Sequence, residues 1–158
     1  VCSSDLEKLI KQYHTKAPFV KKMMESTTRK AENYGRIRTL GGRICRFELW
    51  QPVEFGINQP LPLEEAKKKY GDFLKRAFTY KALNKLIQGS AADMTKLSMI
   101  ALYENGIVPH LQIHDEVDIS IESNEKRSQI IEIMENAVQL QIPNKVDLDV
   151  GDNWGEVK

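Results

Sequence analysis

The sequence predicts an α+β domain in which helices pack on a small antiparallel sheet. Apolar residues recur at helical spacing in two long stretches, 6–33 and 63–104. Alternating polar and apolar residues flank the pair Gly41-Gly42, and two further apolar segments flank the triplet at 114–116. With 158 residues, the chain is long enough to bury a core as about one domain.

The first stretch predicts two helices, because Pro18 disfavours helix at the preceding residue and has no backbone hydrogen to donate. Residues 36–40 and 43–47 then predict an antiparallel hairpin, with Gly41-Gly42 as a two-residue turn of positive φ. Residues 50–63 contain three prolines and predict a loop.

The second stretch, 63–104, predicts two or three helices, with Gly71 and Gly89 as weak points and Asn105-Gly106 as the stop. The core positions predicted in it from helical spacing are Met94, Leu97, Ile100 and Ala101. The remaining predicted elements are strands over 107–113 and 117–121, a helix over 124–140 and a short strand over 146–150.

Composition excludes several classes of protein. No apolar stretch approaches the roughly 20 residues of a membrane span, and no secretory leader opens the chain. Two cysteines make neither a disulfide framework nor a zinc site, which favours a reducing, cytosolic setting. Residues 1–50 carry 11 basic and 5 acidic side chains, whereas residues 101–158 carry 4 and 12. This asymmetry predicts either a polyanion-binding surface next to a carboxylate-rich region or two solvated faces of opposite sign.

The sharpest local feature is His114-Asp115-Glu116, which joins two predicted strands. Asn-Gly or Asp-Gly would make a better hairpin turn, so two carboxylates there point to a divalent cation such as Mg²⁺. Asp118 on the following strand adds negative charge. The alternative is a solvated acidic turn. The predicted site is incomplete, because two-metal phosphoryl transfer needs acids from separate segments, and no second Asp lies in an apolar strand before residue 100.

A second feature is the amide pair Asn84 and Gln88, which share a face if the segment is helical. Primary amides can donate to the minor-groove acceptors that A·T and T·A pairs have in common, and so test base-pair geometry without reading sequence. Amides on an ordinary helix surface are the alternative.

A third feature is a set of basic side chains that could line a phosphate backbone or simply form a solvated face. These are Arg36, Arg38, Arg43, Arg46, Lys67, Lys68, Lys69, Lys75, Arg76, Lys81 and Lys85.

Four short motifs follow one another along the chain. They are GRIRTLGGR at 35–43, ALN with QGSAAD between 82 and 93, LQIHDE at 111–116 and GDNW at 151–154. Together they resemble the C-terminal part of a family A DNA polymerase, and the resemblance extends over residues 6–158. One match could arise by chance, but four in the same order do not. The stretch 50–76 resembles bacteriophage members more than cellular repair enzymes.

The resemblance implies template-directed DNA synthesis, in which a primer 3′-hydroxyl attacks the α-phosphate of a deoxynucleoside triphosphate with two Mg²⁺ ions in the complete enzyme. Asp115 and Glu116 match the catalytic, metal-binding motif at the tip of the palm hairpin. The residues that the resemblance implies to contact primer–template DNA are Gln112, His114, Asn84 and Gln88, and Lys81 and Arg43 of the basic set are further candidates. No membrane is implied, and the setting is the cytoplasm of a bacterial or phage-infected cell.

Two parts of the family pattern are missing from these residues: the strand with the other metal-binding Asp, and the fingers helix that binds the triphosphate. The chain therefore offers no nucleotide-binding residue, and alone it is expected to be inactive. Many members also have an Arg where Tyr80 stands, which puts a template contact there in doubt. The resemblance divides the chain into fingers-side elements over about 6–80 and palm over about 81–158. One codon choice for residues 1–5 reproduces a common sequencing adapter, so they are a candidate non-native leader.

Two other classes of function remain open from the sequence. The first is a DNA-binding module that never catalyses, in which the basic hairpin and helix hold duplex DNA. The second is a small metal-dependent phosphohydrolase that uses Asp115, Glu116 and Asp118.

Overall fold

A computed structural model describes residues 3–54, 56 and 59–156. The chain divides into two compact units, residues 1–89 and residues 90–158. Mixed helices and small antiparallel sheets confirm the predicted α+β class. Of the candidate leader, residues 1 and 2 lie outside the described residues, and residues 3–5 belong to the first helix. No helix in the described part of the chain is long and apolar enough to cross a membrane.

The first unit begins with two helices, α1 (Ser3–Lys16) and α2 (Pro18–Tyr34), so the predicted break at Pro18 is confirmed. Proline suits the first position of a helix, because its φ is already helical and its missing hydrogen has no partner there. Gly35 ends α2 with a φ of 65°, and its N–H donates to the Ala31 carbonyl. This left-handed residue turns the chain into the first strand.

A hairpin follows, formed by β1 (Arg36–Arg38) and β2 (Ile44–Arg46), but its predicted two-residue turn is wrong. The Thr39 N–H donates to the Arg43 carbonyl at 2.9 Å, and the Gly42 N–H donates to the Thr39 carbonyl at 3.0 Å. Of the glycine pair only Gly42 has a positive φ, 83°. The loop therefore has the three-residue form, a turn closed by one left-handed glycine, and both strands are shorter than predicted.

A three-stranded antiparallel sheet occupies much of the region predicted as loop and helix. Its strands are β3 (Leu49–Pro52), β4 (Leu61–Pro62) and β5 (Leu74–Arg76), in the order β4-β3-β5. The loop prediction for 50–63 is thus wrong in part, since Pro52 and Pro62 lie at strand ends, where the missing donor is tolerated. Helix α3 (Leu63–Tyr70) ends at Gly71 as predicted, and a 3-10 helix covers Thr79–Lys81.

Helix α4 (Ala82–Glu104) continues through Gly89, so the predicted break there is wrong, whereas the predicted stop at Asn105-Gly106 is confirmed. The predicted core face of this helix is also wrong at two positions. Leu97 is 41% exposed and Ile100 is 53% exposed. The buried positions of α4 in this stretch include Asp93, Thr95, Ser98 and Leu102. Apolar residues lie on more than one face of α4, so spacing alone could not select the buried one.

Each unit has its own small core. In the first unit the buried residues are Ala31, Ile37, Phe47 and Ala82, with Cys45 and Leu86 packed against them. In the second unit they are Leu102, Ile107 and Ile130, with Ile119, Ile121, Ile133 and Met134 around them. The second unit contains β6 (Leu111–Ile113), β7 (Glu116–Asp118), α5 (Asn124–Asn136) and a 3-10 helix at Trp154–Glu156.

The strand predicted over 146–150 is wrong, because those residues have no strand partner among the described residues. Instead, Glu135 of α5 holds the start of this segment: its Oε1 accepts from the Val146 N–H at 3.3 Å, and Lys145 Nζ lies 3.2 Å from its carboxylate. The helix predicted over 124–140 ends earlier, at Asn136. Strands β6 and β7 are likewise shorter than the predicted 107–113 and 117–121.

Candidate active site

The candidate site in the second unit is the tip of the β6–β7 hairpin. Ile113 pairs with Glu116, so His114 and Asp115 form a two-residue turn and Glu116 begins β7. The predicted turn between two strands is therefore confirmed at His114 and Asp115, whereas Glu116 belongs to β7. His114 has a φ of 55°, a left-handed conformation that few side chains adopt. Two-residue hairpins require positive φ at one or both turn positions, and here it falls on His114 rather than on a glycine.

Gln112 supports this turn from within the hairpin. Its Nε2 donates to the His114 carbonyl at 2.8 Å. This bond stabilises the left-handed backbone of His114, and it uses the amide nitrogen of Gln112 as a donor within the hairpin. The predicted contacts of Gln112 and His114 with a primer end stay predictions.

The carboxylates of Asp115 in the turn and Glu116 beside it are exposed to solvent. His114, Asp115 and Glu116 are all exposed, whereas Asp118, opposite Leu111, is half-buried. Adjacent carboxylate oxygens fit the chemistry of a hard divalent cation, but Mg²⁺ takes six ligands. Within residues 3–54, 56 and 59–156, no group of three His, Cys, Asp or Glu side chains could hold a metal ion. The carboxylate oxygens of Asp115 and Glu116 are the type of ligand that Mg²⁺ binds, but a complete site needs further ligands.

The amide pair lies in the first unit. Asn84 and Gln88 are four residues apart on α4 and both are exposed, so the prediction that they share an accessible helix face is confirmed. Lys81 precedes them in the 3-10 helix, and its Nζ lies 5.0 Å from the centre of the Phe78 ring and 5.6 Å from that of the Tyr80 ring. A contact of Lys81, Asn84 or Gln88 with DNA stays a prediction.

Arg43 has a partner that the sequence did not reveal. Its Nη2 donates to the Gly89 carbonyl of α4 at 2.8 Å. A Cβ added at Gly89 would lie 2.8 Å from Thr39 Cγ2, closer than side chains approach. Gly89, predicted as a weak point of the helix, therefore marks the place where the hairpin tip meets α4. A glycine inside a strong helical pattern is the signal that could have indicated this contact.

This architecture matches a solved polymerase structure. The POL domain of Pol1 from M. smegmatis, solved in complex with DNA primer-template and dNTP, matches 99% of this chain with a TM-score of 0.74 and 23% identity. The chain corresponds to 26% of that domain. The fold is thus that of part of a DNA polymerase domain.

The chain belongs to DNA polymerase family A, whose sequence model matches residues 2–156. The DNA-directed DNA polymerase of Pseudomonas phage M6 is 35% identical over 93% of this chain and 19% of its own length. DNA polymerase I of Lactococcus lactis subsp. lactis is 29% identical over 100% of this chain and 17% of its own length. The family resemblance is confirmed, and the chain spans about a fifth of the relatives it matches.

Proposed function

We propose that this chain forms part of the palm, with adjoining fingers-side elements, of a template-directed DNA polymerase. The observation that carries the proposal is the β6–β7 turn, which presents Asp115 at its tip and Glu116 beside it. Membership of family A supports it, as does the likeness to a polymerase domain solved with primer-template and dNTP. The setting we propose is the cytoplasm of a bacterial or phage-infected cell, because the relatives are bacterial and phage polymerases.

The proposed reaction joins a deoxynucleotide to a primer. The primer 3′-hydroxyl oxygen forms a bond to the α-phosphorus, and the bond from that phosphorus to the β-phosphate bridging oxygen breaks. The products are the extended primer, pyrophosphate and the hydroxyl proton, which is released to water. Asp115 and Glu116 are the residues of this chain that would hold Mg²⁺. Bound Mg²⁺ supplies Lewis-acid stabilisation of the charge that develops in such a displacement. The negative charge of Asp115 and Glu116 would also repel a triphosphate that carries no metal ion.

The rest of the site would come from other parts of a complete polymerase. The family pattern supplies a second metal-binding Asp and a triphosphate-binding helix, and two-metal transfer needs acids from separate segments. We place the fingers-side elements at about 6–80 and the palm at about 81–158. Asn84 and Gln88 would donate to the minor-groove acceptors of the terminal base pair, and Lys81 would lie along its backbone.

The amide role predicts a specific loss. In a complete polymerase, Asn84→Ala or Gln88→Ala is expected to lower kcat/KM for the next nucleotide about tenfold each, because each change removes one hydrogen bond to the base pair. Ile87→Ala is the matched control, since Ile87 is 52% exposed on the same helix and offers no hydrogen bond. Single-nucleotide extension measures all three. Equal effects of Gln88→Ala and Ile87→Ala would contradict the amide role.

The proposed function is tested with a hybrid polymerase, the phage M6 enzyme in which the matched segment is replaced by residues 3–156 of this chain. We expect the hybrid to extend a primer in the presence of Mg²⁺ with the nucleotide that the template specifies. The isolated chain is expected to incorporate nothing. A folded hybrid that binds primer–template but does not extend it would favour the non-catalytic DNA-binding module, and phosphodiester cleavage by the isolated chain would favour the hydrolase.

A further inference from the structure

The hairpin tip contacts α4 at Gly89, directly after the amide pair. The Arg43 guanidinium donates to the Gly89 carbonyl at 2.8 Å. The methyl group of Thr39 fills the space where a side chain at position 89 would begin, with 2.8 Å between its Cγ2 and an added Cβ. Cys45 Sγ lies 4.0 Å from the same point. Three hairpin residues thus converge on a single glycine of the helix.

Hydrogen bonds within the hairpin loop hold the backbone that carries the Arg43 side chain. Thr39 Oγ1 accepts from the Arg43 N–H at 3.1 Å, and the Thr39 N–H donates back to the Arg43 carbonyl at 2.9 Å. Arg38 Nη1 donates to the Gly42 carbonyl at 2.8 Å across the loop. These bonds fix the backbone from which the Arg43 side chain reaches the helix.

The helix would be more stable in isolation without Gly89. Glycine inside a helix costs about 1 kcal/mol relative to alanine. Here an alanine methyl group would fit only if Thr39 or the hairpin shifted, so the close approach of the hairpin opposes what helix propensity favours. Charge-assisted hydrogen bonds are also stronger than neutral ones, and the one from Arg43 ends on the main chain of the residue that follows Gln88.

We propose that Arg43 is a positioning residue, which through Gly89 fixes the rotation and axial position of α4 and thereby places the amide of Gln88 against the terminal base pair. The inference rests on the proposed function, because it assumes that Gln88 contacts the minor groove. It replaces the expectation that Arg43 binds the DNA backbone. A backbone contact would add affinity on any base pair, whereas a positioning contact improves only the reading of the minor groove.

The test uses the hybrid polymerase and a terminal A·T pair whose adenine, in the primer or in the template, is replaced by 3-deazaadenine. That base lacks the N3 acceptor of the minor groove. Each replacement, in the primer or in the template, gives a loss in kcat/KM relative to normal adenine. We call the larger of these two losses the minor-groove sensitivity, and we expect it to be about tenfold for the unaltered hybrid. Arg43→Ala is expected to lower kcat/KM on normal adenine about tenfold and to reduce the sensitivity to twofold or less.

Gly89→Ala is the second variant, because its methyl group would displace Thr39 at this contact without removing a charge. We expect the same loss of sensitivity from it. Arg46→Ala is the matched control: it removes the same charge from the same hairpin, but Arg46 pairs with Glu48 at 3.7 Å rather than with α4. We expect it to keep the sensitivity. Circular dichroism on each variant confirms that the helices are retained.

The outcomes separate the possibilities. If Arg43→Ala keeps full sensitivity, loses activity equally on both bases and lowers the salt dependence of binding by about one phosphate contact, Arg43 binds the backbone and the proposal is overturned. If Gly89→Ala keeps full sensitivity, the proposal is also overturned. If the unaltered hybrid extends primers but shows no sensitivity, the amide role fails and the positioning role with it. If the hybrid does not extend primers at all, the proposed function fails first.

Discussion

Replacing Asp115 by asparagine in the hybrid polymerase is expected to lower the rate of nucleotide incorporation about a thousandfold. Asp115 is at the tip of the β6–β7 hairpin, exposed and next to Glu116, where its charge would hold the cation that the reaction needs. Asparagine keeps the shape and one oxygen but removes the charge. A thousandfold loss corresponds to about 4 kcal/mol of transition-state stabilisation, which is within what a bound metal ion supplies.

The control for this substitution lies on the same hairpin. Asp118 is half-buried on β7 and pairs with Leu111, three residues along the chain from Asp115. Asp118→Asn removes an equal charge, and we expect a loss of less than tenfold because Asp118 is not at the tip. Single-turnover incorporation at saturating Mg²⁺ measures both variants. Similar losses from the two substitutions would mean that the general field of the hairpin matters, and that Asp115 is not a metal ligand.

The second large effect is on folding, and it concerns Arg76 at the end of β5. We expect Arg76→Ala to lower the free energy of unfolding of the first unit by about 3 kcal/mol, because the side chain contacts α2, β3 and the segment between β2 and β3. Its Nε donates to the Glu32 carbonyl at 3.1 Å, and its Nη1 donates to the Phe47 carbonyl at 2.9 Å. Its guanidinium also stacks 4.4 Å from the centre of the Trp50 ring.

Two further variants isolate the contribution of the guanidinium. Arg76→Lys keeps the charge but cannot make the forked bonds or the flat stack, so we expect it to recover less than half of the loss. Arg46→Ala changes an exposed arginine paired with Glu48 and is expected to shift stability by no more than about 0.5 kcal/mol. Urea unfolding followed by circular dichroism measures all three. If Arg76→Ala and Arg46→Ala gave the same small shift, the contacts of Arg76 would not stabilise this unit.

Features with a strong local signal were predictable from the sequence. Pro18 and Asn105-Gly106 set helix boundaries through backbone constraints that do not depend on distant contacts, and both boundaries are confirmed. The hairpins at 36–46 and 111–118 were also predicted, because alternation and turn residues act over a few positions. The three-stranded sheet was missed, since β4 and β5 are two and three residues long and pair with β3 only through tertiary contacts.

The buried face of α4 shows a different limit. Leu97 and Ile100 have the spacing of a core stripe, yet they are exposed, while Thr95 and Ser98 are buried. Which face of a helix is covered depends on what packs against it, and apolar spacing on more than one face leaves that choice open.

The positions of the candidate residues on the hairpin and the helix were predictable, but the contacts that support them were not. The turn at His114 and the shared face of Asn84 and Gln88 follow from periodicity of two and of 3.6 residues. The bond from Arg43 to Gly89 joins residues 46 apart in the chain, and no local pattern encodes it. Gly89 itself was the only local signal of this contact. Helix propensity alone led to the wrong prediction that the helix breaks there.

The most direct test of the central claim, that this chain is part of a longer DNA polymerase, is the nucleotide sequence that precedes its first codon in the source DNA. We predict that the same reading frame continues upstream into a strand with an embedded Asp, the partner of Asp115, and a helix bearing the Lys and Tyr that bind a triphosphate. An initiation codon next to Leu6, preceded by an in-frame stop, would contradict the claim and leave DNA binding without synthesis as the function to test.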